Sequence, residues 1–207
     1  MKWLMFILFL LPGVTLSDMY TINDLMARLN ATLEDRDSLV TAFNKGKQRA
    51  ELCQHCHGKN GNSLRDYIPN LAAQNPRYLL TQFEYFRLGK RKDYVMGNLA
   101  KSISEDDRIN LAIYYSRQKV STKATSTTVT SGKDVFNKRC VACHGQKGYG
   151  NKDLPRIAGQ PDKYIAKTLT DYQNKTNRRP NSPMLGIAAT LSTDEINVLA
   201  AYLSTLN

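Results

Sequence analysis

The stretch "CQHCHGKNG", residues 53–61, occurs a second time in nearly the same form as "CVACHGQKG", residues 140–148. Each copy holds two cysteines three positions apart, and a histidine directly follows the second cysteine. The two copies begin 87 positions apart in a chain of 207 residues. A short motif that recurs at such a distance suggests that a larger unit is duplicated around it.

The duplication extends well beyond the cysteine motif. A displacement of 86 to 88 positions aligns "PNLAAQNPRY" at 69–78 with "PRIAGQPDKY" at 155–164. A displacement in the same range aligns "ISEDDRINLAIYYS" at 103–116 with "LSTDEINVLAAYLS" at 191–204. The motif, the middle and the end of each half therefore agree.

This agreement predicts two homologous domains, 46–118 and 132–207. Residues 119–131 join them; they are rich in serine and threonine, lack apolar periodicity and predict a linker. A domain of about 75 residues buries only a small core, which by itself is marginally stabilising. A large buried cofactor in each domain would supply the missing apolar contact.

Both halves carry helix signals, and no segment alternates as a strand would. We predict an all-α fold in which each half has a helix before the cysteine motif, a loop, a middle helix and a final helix. Pro76 and Pro161 are expected in the first turn of the middle helices. Ser104 and Ser192 are expected as N-caps of the final helices, with acidic residues in the turn that follows.

The first residues resemble a secretory signal. Lys2 precedes nine apolar residues, 3–11, and small residues then lead to a plausible cleavage site near Ser17. An uncleaved anchor is the alternative, but the apolar run is shorter than the roughly 20 residues that span a bilayer. We predict a signal peptide at 1–17 and a periplasmic mature protein.

Residues 18–45 form an acidic extension before the first predicted domain. Its apolar residues share one face of a helix, and Thr21 with Asp24 could form a capping box. That face consists of Ile22, Leu25, Met26, Leu29 and Leu33. We predict a helix that packs on the first domain, with a partner-docking helix as the alternative.

Cys-x-x-Cys-His is the attachment signal for haem c. Two thiols add to the vinyl groups of one porphyrin, and the histidine binds the iron. The sequence therefore predicts two covalently bound haem c groups. The thiols would come from Cys53, Cys56, Cys140 and Cys143, and the first iron ligands would be His57 and His144.

Three other uses of the cysteines explain less. A disulfide within Cys-x-x-Cys closes a very short loop and is usually redox-active rather than a structural crosslink. Zinc would need both pairs in one site and leaves the repeated histidine unexplained. A thiol oxidoreductase could use His55 to lower a thiol pKa, but the second copy has Val141 and Ala142 there.

The second ligand of each iron follows by elimination. His55 lies inside the first motif, so no histidine remains for the distal side of either haem. Met96 and Met184 are matched at a displacement of 88, in "YVMGN" and "SPMLG", which we predict to be loops between helices. A methionine that merely fills a core gap is the alternative reading. The repeat favours Met96 and Met184 as axial ligands.

From about residue 46 to residue 207 the chain resembles the dihaem cytochrome c4 family, two class I cytochrome c domains in tandem. The resemblance implies that the carbonyls of Pro69 and Pro155 accept a hydrogen bond from each histidine ligand. It also implies that the two haems lie near the domain interface and exchange electrons. A closed His/Met iron favours a carrier over an enzyme. The alternative is a dihaem subunit of a flavoprotein such as sulfide dehydrogenase.

Charge indicates the kind of partner. The chain carries a net charge of +11, and each half is strongly basic. We expect acidic redox partners, a haem-copper oxidase or a quinol-oxidising complex, and peripheral association with anionic lipid, whereas export excludes nucleic acid. The repeated pairs Lys90-Arg91 and Arg178-Arg179 precede the two methionines and are predicted to dock partners at exposed haem rims.

Overall fold

The computed structural model describes residues 16–121, 130–176, 179–180 and 182–207, with side chains from residue 22 onward. These residues form helices and loops and contain no strand, so the predicted all-α class is confirmed. The helices in chain order are α1 Leu16–Glu34, α2 Arg36–Arg49, α3 Gln54–His57, α4 Pro76–Arg87, α5 Tyr94–Ser102, α6 Glu105–Ser116, α7 Thr130–Arg139, α8 Val141–His144, α9 Asp162–Gln173, α10 Met184–Ala188 and α11 Thr193–Thr205. A 3-10 turn, Lys59–Gly61, follows α3.

Serine caps begin the final helix of each half, as predicted. The Ser104 side chain accepts a hydrogen bond from the Asp107 N–H at the start of α6. Ser192 and Glu195 form a full capping box at the start of α11. Each cap satisfies backbone N–H groups that have no partner within the helix.

The proline predictions are confirmed in one half only. Pro76 is the first residue of α4, as predicted. Pro161 is not in the first turn of α9 but immediately before it, at the N-cap position. The lack of an N–H makes proline equally compatible with both positions, so the sequence alone could not separate them.

The two predicted methionine loops are helical, which corrects that part of the prediction. Met96 lies within α5, whose N-cap Asp93 accepts a hydrogen bond from the Met96 N–H at 3.0 Å. Met184 is the first residue of the short helix α10. Gly97 and Asn98 are poor helix formers, which suggested a loop, but the Asp93 cap and packing against the core outweigh that weak preference.

The acidic extension forms two helices rather than one. Helix α1 begins at Leu16, so Thr21 lies inside the helix and the predicted capping box does not mark its start. A break at Asp35, whose side chain caps Ser38 N–H at 2.8 Å, starts α2, which runs on to Arg49. Apart from the two residues that begin α1, the predicted signal peptide lies outside the described residues. In the described part of the chain, no helix is both long and apolar enough to cross a membrane.

The described residues form two separate hydrophobic cores. One extends from Leu25 to Tyr115 and includes the apolar face of α1, since Leu25 and Leu29 are fully buried in it. The other extends from Phe136 to Leu203. The extension thus packs on the first core, and the second core has no described helix in the same role.

The same helix pairing organises both cores. Helix α2 packs against α6 in the first half, and α7 packs against α11 in the second. A glycine, Gly46 or Gly132, lies at each of these two contacts and lets the helix backbones approach closely. The helix before each cysteine motif is therefore held against the final helix of its own half, which fixes where the motif begins.

Candidate cofactor sites and the interface between the halves

Each cysteine motif forms a single helical turn. In the first half, the His57 N–H donates to the Cys53 carbonyl at 2.9 Å, and in the second the His144 N–H donates to Cys140 at 2.9 Å. Both thiols and the imidazole of each motif are therefore carried by one short segment. All four cysteines are free thiols: Cys56 and Cys143 are exposed, whereas Cys53 and Cys140 are half-buried and buried.

A structural disulfide and a shared zinc site find no support in this arrangement. Neither motif contains a disulfide. Within the described residues, no three side chains of the His, Cys, Asp or Glu type come together in a way that could hold a metal ion. The two cysteine pairs therefore do not form the shared four-ligand site that zinc would need.

Both motif histidines are buried and hydrogen-bonded as the family resemblance implied. The His57 Nδ1 atom lies 2.9 Å from the Pro69 carbonyl oxygen, and His144 Nδ1 lies 3.0 Å from that of Pro155. A carbonyl only accepts, so Nδ1 carries the proton and Nε2 keeps its lone pair. Burial lowers the pKa of both histidines, although the proline carbonyls partly oppose this effect. A neutral imidazole with a free Nε2 is what an iron ligand requires.

The two predicted methionine ligands occupy matching positions. Met96 and Met184 are both half-buried, and each packs against the edge of its own hydrophobic core. Each half thus offers two thiols, one neutral imidazole and one thioether. This donor set fits a covalently bound haem with one nitrogen and one sulfur ligand to iron.

A pair of half-buried arginines lies between the halves. Arg91 stacks over the Phe86 ring at 4.3 Å and donates to the Tyr164 hydroxyl of the other half. Arg179 donates to Tyr164 at 3.1 Å and, across the interface, to the Tyr78 hydroxyl at 3.5 Å. Burial opposes ionisation of Tyr164, but the two guanidiniums outweigh it and lower the pKa of this hydroxyl.

These contacts correct the predicted docking role of Arg91 and Arg179, whereas Lys90 contacts Tyr85 of its own half. Arg91 and Arg179 face the interface between the halves instead of an exposed rim, and Arg178 lies outside the described residues. Sequence could not reveal this, because a basic pair has the same appearance on a rim and at an interface. Among the described residues neither guanidinium forms a salt bridge with a carboxylate. Two such cations fit a cofactor that carries carboxylates of its own.

Two ion pairs across the interface form a matched set. Lys163 Nζ lies 2.6 Å from the Asp66 carboxylate, and Arg77 Nε lies 2.8 Å from that of Asp153. Asp66 and Asp153 are 87 positions apart, and Arg77 and Lys163 are 86 apart, as in the sequence repeat. The halves therefore meet through an approximate two-fold axis, like the subunits of a symmetric dimer.

Two buried glutamines that sequence reasoning missed belong to this interface. Gln74 and Gln160 are each only 5% exposed, and each forms hydrogen bonds with the backbone of the opposite half. Their recurrence at a displacement of 86, in "PNLAAQ" and "PRIAGQ", was the available signal. By itself, the recurrence of these glutamines in the sequence indicates only that the two halves are duplicated.

Comparison with known proteins agrees with this architecture. A family model described as cytochrome c matches residues 129–207. Cytochrome c4 of Pseudomonas aeruginosa is 34% identical over 175 residues, which cover 78% of this chain and 87% of the relative. The crystal structure of reduced recombinant cytochrome c4 from Pseudomonas stutzeri matches with a TM-score of 0.71 and 31% identity, covering 78% of this chain and 97% of that one.

A structure of thiosulfate dehydrogenase from Marichromatium purpuratum is also similar. It matches with a TM-score of 0.70 and 30% identity. The match covers 80% of this chain but only 40% of the dehydrogenase chain. The tandem arrangement therefore resembles a part of a larger enzyme as well as a complete small protein.

Proposed function

This chain belongs to the cytochrome c4 family, so it is a c-type electron carrier with covalently bound haem c, and we propose that it works in the periplasm and delivers electrons to a membrane-bound terminal oxidase. The observation that carries the ligand assignment is the matched environment of the two histidines. Each is buried, and each donates its Nδ1 proton to a proline carbonyl beside two free thiols. The predicted signal peptide supports export.

The proposal assigns a role to each donor in both halves. His57 and His144 would bind iron through Nε2, and Met96 and Met184 would each supply a second ligand. The thiols of Cys53, Cys56, Cys140 and Cys143 would form the thioether bonds. When bound, the haem iron supplies reversible one-electron exchange. The proline carbonyls hold the imidazole rings in one orientation, and Arg91 with Arg179 would neutralise carboxylates of the cofactor.

We infer that the protein is a carrier and not a catalyst. If His57 with Met96 and His144 with Met184 hold the two irons, a substrate would have to displace one of these side chains to reach the metal. The cytochrome c4 relatives support this inference.

Oxidation by membranes tests the proposed partner. The reduced holoprotein would be mixed with membranes that contain a haem-copper oxidase, and its oxidation followed by absorbance together with oxygen uptake. We expect fast oxidation that cyanide abolishes, because cyanide blocks the oxidase haem. Oxidation at the same rate in the presence of cyanide would contradict the oxidase assignment.

A dehydrogenase partner is the second candidate, in place of the oxidase or beside it as electron donor. The observation in its favour is the similarity to part of the thiosulfate dehydrogenase chain from Marichromatium purpuratum. The matching experiment starts from the oxidised holoprotein and a periplasmic extract. Reduction on addition of thiosulfate, together with co-elution on gel filtration, would favour this candidate. Co-elution with a flavoprotein would instead favour the sulfide dehydrogenase type of complex.

A further inference from the structure

Two buried glutamines each bind one backbone residue of the opposite half through both ends of the side-chain amide. Gln160 Oε1 accepts from the Asn70 N–H at 3.0 Å, and its Nε2 donates to the Asn70 carbonyl at 2.8 Å. Gln74 Oε1 accepts from the Arg156 N–H at 2.7 Å, and its Nε2 donates to the Arg156 carbonyl at 2.8 Å. A backbone N–H only donates and a carbonyl only accepts, so the orientation of both amides is fixed.

The bound N–H belongs to the same peptide unit as the carbonyl that holds the histidine. The Pro69 carbonyl, which accepts from His57 Nδ1, and the Asn70 N–H are the two polar ends of one peptide group. The Pro155 carbonyl and the Arg156 N–H are likewise one group. A continuous path of hydrogen bonds therefore runs from the glutamine of one half to the histidine of the other.

We propose that Gln160 and Gln74 are positioning residues that set the donor strength of the opposite histidine, Gln160 for His57 and Gln74 for His144, through the intervening peptide group. The inference rests on the proposed ligation of iron by these histidines. It goes beyond that proposal because it makes the reduction potential of each haem depend on a side chain of the other half.

Peptide resonance gives the coupling its direction. An acceptor on the N–H draws the peptide towards its charge-separated form and makes the carbonyl oxygen more negative. Successive hydrogen bonds strengthen one another by about 10–30% per bond. A more negative Pro69 oxygen pulls harder on the Nδ1 proton of His57, which makes Nε2 a stronger donor. A stronger donor favours the ferric state, so each glutamine lowers the potential of the opposite haem.

Burial strengthens the hydrogen bonds of this path. It also distinguishes them from exposed contacts across the same interface. His57, Asn70 and Gln160 are 8%, 6% and 5% exposed, so little water screens the path. By contrast, the side chains of Lys163 and Asp66, an ion pair across the same interface, are 70% and 41% exposed. Such an exposed pair can hold the halves together without any effect on a histidine.

The test replaces Gln160 by Met, which has similar length but no hydrogen-bonding amide. The His57 and His144 Nδ1 protons would be observed by NMR in the reduced holoprotein, and both potentials measured by spectroelectrochemistry. For Gln160→Met we expect an upfield shift of the His57 proton and a higher potential for the haem in its half. The His144 proton should not move. Gln74→Met should give the mirror-image result.

Two further variants provide the controls. Arg77→Gln removes the ion pair with Asp153 across the same interface but leaves both peptide groups intact, so neither Nδ1 proton should shift. Gln160→Glu, measured at a pH at which this buried acid is protonated, keeps both bonds to Asn70, since its carbonyl oxygen accepts from the Asn70 N–H and its O–H donates to the Asn70 carbonyl. Its His57 proton should therefore stay about as far downfield as in the original protein. This second substitution remains informative if the methionine variant does not fold.

The possible outcomes test the coupling and the proposed iron ligation separately. Equal shifts of both protons, or no shift of either, in the Gln160→Met protein would overturn the coupling and leave the glutamine as a simple tie between the halves. So would an upfield shift in the Gln160→Glu protein as large as that caused by methionine. If the His57 Nδ1 proton of the original protein does not have the chemical shift of an iron-bound imidazole, the proposed ligation is wrong instead.

Discussion

Gly46 of α2 lies so close to Asn110 of α6 that a Cβ built on the glycine would stand 2.2 Å from the Asn110 carbonyl oxygen. The equivalent pair in the second half is Gly132 and Val198, with the corresponding distance at 2.1 Å. In both cases the obstacle is backbone, which cannot rotate away as a side chain could. The contact between the helix before the cysteine motif and the final helix of each half therefore depends on the absence of a side chain at one position.

Substitution at this contact should destabilise the protein. Gly46→Ala forces the two helices apart, and overpacking of this kind costs about 1–3 kcal/mol. Gly186, in helix α10, has open space around its Cβ position, so Gly186→Ala should be neutral or stabilising by up to about 1 kcal/mol. Denaturant unfolding followed by circular dichroism measures both. Equal stability of the two variants would show that the helices can separate without loss.

The buried ion pair of the first half should matter far more than surface pairs. Glu84 is fully buried and lies 2.6 Å from Arg108. Arg108→Met leaves this carboxylate with Arg87 alone and should cost about 3–5 kcal/mol in the free energy of unfolding. Arg28→Met, which removes exposed pairs with Glu105 and Asp106, should cost under about 1 kcal/mol.

A double variant provides the control for this comparison. Glu84→Gln combined with Arg108→Met removes both charges, so it should recover a large part of the stability lost in Arg108→Met alone. Both variants would be unfolded with denaturant under the same conditions. If the double variant is as unstable as the single one, lost packing and not the unpaired charge causes the effect.

The proposed methionine ligands can be exchanged one at a time. Met96→His should lower the potential of the first haem and remove its methionine-to-iron absorption band, while the band of the second haem remains. Met184→His should do the reverse. Met26, a methionine buried in the first core, provides the control, since Met26→Leu should leave both bands in place. Absorption spectra of the oxidised protein decide the assignment, which is wrong if both bands survive in either histidine variant.

We expect the positive charges that dock the redox partner to lie near the cysteine motifs and not at the arginines of the interface. Lys59 and Lys147 are exposed and lie within three residues of the motif histidines. Reversal of both to Glu should slow oxidation by the oxidase and flatten its dependence on salt. The Debye length shrinks from about 30 Å at 0.01 M to about 10 Å at 0.1 M, so salt screens such attraction.

A charge-matched pair of substitutions checks that position matters. Lys47 and Lys133 are exposed on the equivalent helices α2 and α7, away from the motif turns. Their reversal to Glu changes the net charge equally and should leave most of the rate intact. Stopped-flow rates at several ionic strengths compare the two double variants. Equal losses would mean that net charge decides the encounter.

The sequence predicted the repeated features that rest on local interactions or on the family pattern. Ser104 and Ser192 cap their helices as expected, because a cap is a local interaction between residues three positions apart. The contacts of His57 and His144 with the proline carbonyls also agree with the expectation from the family. In both cases the partners are close in the chain, or the family pattern specifies them.

Features that depend on the packing of the two halves could not be predicted. The direction of Arg91 and the partners of Gln74 are set by residues more than 70 positions away in the chain. The helix around Met96 was missed for a different reason: Gly97 and Asn98 weakened the local signal, and tertiary packing overrode it. Symmetry between the halves would have been the best guide to the interface, since its ion pairs and its glutamine contacts recur in symmetric form.

The approximate two-fold axis has a consequence for how the protein can be adapted. In a dimer of identical subunits every substitution is made twice, so the two redox centres must change together. Here both copies lie in one chain, and their residues have already diverged, with Asn70 facing Gln160 where the mirrored contact has Arg156 and Gln74. One centre can therefore be matched to a donor and the other to an acceptor. Fusion into a single chain allows the two centres to differ in potential, so that electrons can pass from the lower potential to the higher within a nearly symmetric molecule.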